Sequence, residues 1–123
     1  MIQAYSQNIT VNASQPIPFY SVAVDKGCSV SQNGSTTFNL NKCGVYQVCV
    51  GVSAAAAETI QLYKDGVALP GAVSTGTSPS FVSFVQVDHD NTCCPCTSPT
   101  SLQVMAEAEG TLTEASIAIH KIA

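Results

Sequence analysis

The sequence predicts a single all-β domain, an antiparallel sandwich of about eight to ten short strands. Three observations carry that prediction. Apolar and polar residues alternate with period two over most of the chain, the spacing at which one strand face packs and the other meets solvent. Turn dipeptides such as Lys26-Gly27, Asn33-Gly34, Asp65-Gly66 and Glu109-Gly110 interrupt the alternation roughly every 8–12 residues. The stretch most compatible with a helix, residues 54–58, is about one turn long and lies between strands, which marks it as a bend.

The elements follow in order. Residues 1–15 form a polar-apolar segment that reads as an N-terminal arm or a first edge strand, suited to pairing with a free sheet edge. Residues 16–24 are extended, and Pro16 and Pro18 suit a strand start or a sheet edge. Thr37-Phe38-Asn39-Leu40 alternates, and Asn41-Lys42-Cys43-Gly44 turns the chain into its longest apolar strand, residues 45–53. There Tyr46, Val48, Val50 and Val52 share one face, while Val45, Cys49 and Gly51 keep the other largely apolar. Such a strand is expected to be covered on both sides.

Residues 59–64 and 67–69 form a hairpin across Asp65-Gly66, a pair that readily takes the positive φ of a tight primed turn. Residues 81–87 make another apolar strand, and residues 88–100 a polar, cysteine-rich loop. Residues 101–108 alternate with Glu107 and Glu109 outward, and residues 115–122 close the chain. The 123 residues suit one domain, 1–123, with no linker and no tandem repeat.

Composition narrows the function. Four lysines, no arginine and eight acidic residues leave only 10% of the chain charged, against roughly 25% in an ordinary soluble domain. A folded monomer of this size exposes on the order of 6,200 Å², which leaves part of that surface to face protein or to be covered by Ser, Thr, Asn and Gln. A net charge of −4 and scattered lysines do not make a phosphate-binding patch, so nucleic acid is not an expected partner. No apolar run approaches the roughly 20 residues of a membrane helix, and the first residues lack the basic-then-apolar pattern of a secretory signal. With no such signal, Asn8-Ile9-Thr10, Asn12-Ala13-Ser14 and Asn33-Gly34-Ser35 read as turn and edge chemistry rather than glycosylation sites.

The six cysteines are unevenly placed. Cys28, Cys43, Cys93, Cys94 and Cys96 are the disulfide candidates, with a link expected from Cys28 to the 93/94/96 cluster. Cys49, inside an apolar strand, reads as a small buried hydrophobe. Cys93, Cys94 and Cys96 are also the thiols a metal would use, but they lack a paired CxxC module, so no metal and no cofactor are expected. His89 lies in the loop motif Asp88-His89-Asp90, and His120, on the last strand, reads as a packed structural histidine. Neither histidine forms a recognisable Cys/His pair, and Glu107 with Glu109 reads as a solvated face, so an enzyme is not expected.

Three segments carry a family resemblance. Phe38-Asn39-Leu40-Asn41-Lys42-Cys43-Gly44-Val45-Tyr46-Gln47-Val48 resembles the F-x-L-x-x-x-G-x-Y strand signature of TNF-like and complement-globular-head-like jelly rolls, with Cys43 where that family often has Pro. Leu62-Tyr63-Lys64-Asp65-Gly66-Val67-Ala68-Leu69-Pro70-Gly71 resembles the central hairpin of the bacterial and bacteriophage branch. Ala115-Ser116-Ile117-Ala118-Ile119-His120-Lys121-Ile122 is similar to its closing strand. The resemblance implies a jelly roll of about ten strands that assembles as a homotrimer, with Tyr46, Val48, Tyr63, Phe81 and Phe84 shared between core and trimer seam.

Functionally it implies a structural virion protein, a decoration or head-fibre protein on a bacteriophage capsid. Such a protein is made in the host cytoplasm and attached to capsid or fibre protein by its N-terminal segment. The alternative is a trimeric recognition head, an adhesin or glycan binder at a bacterial or phage surface. Its host-surface glycan would be held by residues 75–80 and 88–100.

Overall fold

The structure, a computed structural model, describes residues 1–87 and 100–123. Period-two alternation becomes eleven strands among these residues: β1 (Ile2–Val11), β2 (Gln15–Pro16), β3 (Ser21–Asp25), β4 (Val30–Asn33), β5 (Thr37–Leu40), β6 (Gly44–Ala54), β7 (Glu58–Lys64), β8 (Val67–Gly76), β9 (Ser80–Val87), β10 (Thr100–Ala106) and β11 (Gly110–Lys121). They pair antiparallel into two sheets, ordered β3-β1-β11-β6-β9 and β4-β5-β10-β7-β8, with β2 added beside β10. Residues 55–57 bend between β6 and β7 without forming a helix.

The core lies between the sheets. Ile2 and Ala4 of β1, Tyr46, Val48, Val50 and Val52 of β6, and Ile117 and Ile119 of β11 point inward from the first sheet. Phe38, Leu40, Ile60, Leu62, Leu102 and Val104 meet them from the second. Ile17 and Phe19, in the connection from β2 to β3, are buried as well, and the Phe19 and Phe38 rings pack with centroids 5.7 Å apart. Tyr46 fills the base of the core. Its hydroxyl donates to the Lys42 carbonyl at 2.7 Å and accepts from the Lys42 N–H at 3.2 Å. A phenol buried this deeply needs such partners, because an unmet hydroxyl in an apolar interior is costly.

Residues 1–15 are neither an arm nor an edge strand. β1 lies inside the first sheet, paired with β11 on one side and β3 on the other, so β3 is the edge. Ile2, Ala4 and Ser6 face inward, then the phase changes and Ile9 and Val11 take over. Asn8, at φ 53°, absorbs that change. Ser6 is buried because its hydroxyl bridges two backbones, donating to the Pro18 carbonyl and accepting from the Tyr20 N–H, both at 2.8 Å.

The β7–β8 hairpin forms where its turn chemistry places it, with Asp65 at φ 51° and Gly66 at φ 82°. β8 then runs past Leu69 to Gly76, and its pairing with β7 shifts register between Gln61 and Tyr63. β10 stops at Ala106, so Glu107 and Glu109 sit in the turn to β11 rather than on one strand face. That turn is anchored by Glu58, whose buried carboxylate accepts from the Ala108 N–H at 2.9 Å and the Thr59 N–H at 3.2 Å.

Candidate interaction face

The inner face of the first sheet is consumed by the core, whereas its outer face is uncovered in the single chain. Cross-strand register places Gln3, Ala118, Cys49 and Val82 in one row across β1, β11, β6 and β9. Tyr5, Ser116, Gly51 and Ser80 form the next row, and His120, Gln47 and Phe84 lie in line on the other side. Side chains alternate strictly on β9. Val85 and Val87 are buried, so Val82 and Phe84 project outward, 57% and 61% exposed.

Scattered exposed apolar residues are ordinary on any protein. Here Ala118, Cys49 and Val82 are cross-strand neighbours, and Phe84 and Tyr5 flank that row two residues along β9 and β1, which makes a patch of the kind that marks an interaction site. Its centre is concave. Small side chains at Cys49, Gly51, Ser116 and Ala118, with Gln3 and Ser80 at the rim, leave a shallow depression of about 570 Å³. Glu114, near one end, is the carboxylate on the outward positions of these four strands.

Lysines and glutamates are sorted along the strands. Lys26, Lys42, Lys64 and Lys121 all lie at the end where β6 begins and β11 finishes, with Asp25 and Asp65 beside Lys26 and Lys64. Glu58, Glu107, Glu109 and Glu114 lie toward the opposite end, at and beside the β6–β7 and β10–β11 connections. The middle of the outer face is left almost uncharged, so that neither desolvation of ions nor like-charge repulsion opposes covering it.

No protein-family model and no curated protein matches the sequence. Solved structures do. The globular domain of zebrafish complement 1qA protein superposes with a TM-score of 0.77 at 13% identity, covering 99% of this chain and 96% of that one. Rabbit GITRL superposes with a TM-score of 0.61 at 12% identity, covering 100% and 95%. The fold is a TNF-like jelly roll.

The jelly roll separates the residues expected to share core and seam. Tyr46 and Val48 are wholly buried and belong to the core. Phe81 is half-buried and packs against the core, while Phe84 stands on the outer face. Tyr63 is not part of the core. Ile60 and Leu62 take the inward phase of β7, which turns Tyr63 to the outer face of the other sheet, beside Gln103. Cys49 is not a buried hydrophobe; it shares the phase of Gly51, opposite Val48 and Val50, and its free thiol is half-buried on the outer face.

The expected link from Cys28 is not formed. Cys28 carries a free, exposed thiol, whereas Cys43 is disulfide-bonded, its partner lying outside the described residues. Cys43 precedes Gly44, which pairs with Val87 at the end of β9, and Cys28 sits in the exposed connection before β4. Cys93, Cys94, Cys96 and His89 lie outside the described residues. Among the described residues no group of three His, Cys, Asp or Glu could hold a metal. The His120 ring is half-buried on the outer face, and its Nε2 is buried without a hydrogen-bond partner.

The sequence pattern placed Gly51 and Cys49 on one face of β6 but missed Tyr5, Val82, Ser116 and Ala118 as its neighbours. A strand's own alternation shows two faces; only the register across β1, β11, β6 and β9 shows which of them assemble into one patch.

Proposed function

We propose that this chain is a non-enzymatic globular module that associates as a homotrimer through the outer face of β1, β11, β6 and β9. The observation that carries the reading is the apolar, almost uncharged patch on that face of a TNF-like jelly roll. The number three follows from the family resemblance. The patch holds a knob, Phe84, and a hollow centred on Gly51, at different places on one face. A contact that seats the knob of one copy in the hollow of the next is heterologous, and a heterologous contact closes into a ring when its rotation allows; a two-fold pairing with both knobs seated would give a dimer instead.

On this reading the trimer decorates a bacteriophage capsid or head fibre as a structural virion protein. That finer assignment is supported by the resemblance of residues 62–71 and 115–122 to the phage branch. Native mass spectrometry at micromolar concentration tests the assembly: three chains of 12.7 kDa in one complex are expected, and a stable monomer overturns it. Recovery of the chain from purified virions, with no selectivity on a glycan array, supports decoration. Selective saccharide binding replaces it with a recognition head.

A further inference from the structure

The Asn33-Gly34 pair serves neither the core nor the proposed assembly face. β4 is an edge strand on the second sheet, and Asn33 is its last residue, exposed and in register with Thr37 across a short loop. The Asn33 side chain makes no hydrogen bond among the described residues. Gly34 has φ 71°, and a Cβ built on it would meet nothing within 4 Å. The residue following Asn33 therefore carries no side chain, and the space a side chain would take is open. Asn33 alone among the asparagines precedes a glycine; Asn8, Asn12, Asn39, Asn41 and Asn91 precede Ile, Ala, Leu, Lys and Thr.

We propose that Asn33 is a site of spontaneous deamidation. The Gly34 backbone nitrogen, its proton removed by solvent base, attacks Asn33 Cγ. A nitrogen–carbon bond forms, the side-chain nitrogen leaves as ammonia, and a five-membered succinimide results. Water then opens the ring at one carbonyl to give aspartate, or at the other to give isoaspartate. The net change is amide plus water to acid plus ammonia, and no oxidant or enzyme is required. Absence of a side chain at Gly34 removes the steric barrier that Leu40 or Lys42 presents after the other asparagines of this sheet.

The change has two structural effects. It takes the formal net charge from −4 to −5. In the isoaspartyl product the backbone runs through the side-chain carbon, which lengthens the loop just before Ser35. The Ser35 carbonyl accepts from the Phe19 N–H at 2.7 Å and lies 3.4 Å from Gln32 Nε2. Displacing it loosens the backbone that holds the buried Phe19 ring against Phe38.

The test is to hold the purified full chain in mildly alkaline buffer and to follow its peptides by mass spectrometry. Isoaspartate is counted in parallel by labelling with a carboxyl methyltransferase. The expected result is loss of the unmodified Asn33 peptide, appearance of two isomeric acid peptides, and a one-charge step on native electrophoresis. The other asparagine peptides stay unchanged, and the exposed substitution Asn33→Ser abolishes the step. An Asn33 peptide that stays intact in the folded chain, while it converts in the same chain unfolded in urea, overturns the proposal. So does equal conversion at Asn12 or Asn41.

Discussion

Phe84→Ala should dissociate the proposed trimer without unfolding the subunit. The ring is 61% exposed in the single chain, and an aromatic side chain presents about 200 Å² to bury. Covering the exposed part thus removes about 120 Å² of apolar surface, or about 3 kcal/mol at roughly 25 cal/mol per Å². A trimer loses that three times, about 9 kcal/mol in all. Because the concentration of half-dissociation follows the square root of a trimer's dissociation constant, the midpoint should rise by about three orders of magnitude at 1.4 kcal/mol per decade. Sedimentation or native mass spectrometry across a dilution series reads that shift. The urea midpoint of the dissociated subunit should be nearly unchanged, since the ring lies outside the core. A variant that dissociates at the same concentration as the parent chain refutes the placement of Phe84 in the interface.

Thiol labelling offers a chemical reading of the same face. Cys28 should react at once with an alkylating reagent, whereas Cys49, half-buried on the patch, should be protected in the assembled state and react on dilution. Tyr46→Phe removes the hydroxyl that pairs with both backbone groups of Lys42, and should cost about 1 to 2 kcal/mol, seen as a lower urea midpoint at unchanged m. Glu58→Ala strands the Ala108 and Thr59 N–H groups and should cost about 1 to 3 kcal/mol. Glu58→Gln keeps an oxygen in that place, so its loss should be smaller; equal losses in the two variants would show that the acceptor is not what matters.

Much of the architecture was legible from local chemistry. Asp65-Gly66 announced its hairpin, and the phase of Tyr46, Val48, Val50 and Val52 named the inner face of the longest strand. What was not legible depended on partners. β1 escaped because its alternation changes phase at Gln7 and Asn8, where neither period-two pattern fits the whole segment. Tyr63 was expected in the core or the trimer seam without a choice between them; the inward phase of Ile60 and Leu62 takes it out of the core, on the other side of β7. The disulfide candidates were equivalent in sequence. Nothing in their spacing distinguished Cys43, which is bridged, from Cys28, which is free. The interaction patch draws on four strands that are far apart in the chain, and no single segment contains it.

The separation of lysines from glutamates also gives the molecule a direction. The Met1 ammonium bonds to the Lys26 carbonyl at 2.6 Å, and the backbone N–H groups of Ile122 and Ala123 both point to the Val45 carbonyl. Both chain ends thus emerge together at the lysine pole. A tag, dye or fused domain joined at either end sits there and leaves the glutamate pole uncovered. Three subunits sharing an axis in parallel would bring their carboxylate-rich turns together at one tip. A display scaffold built on this chain would therefore present the β6–β7, β8–β9 and β10–β11 connections outward, as the loops available for grafting.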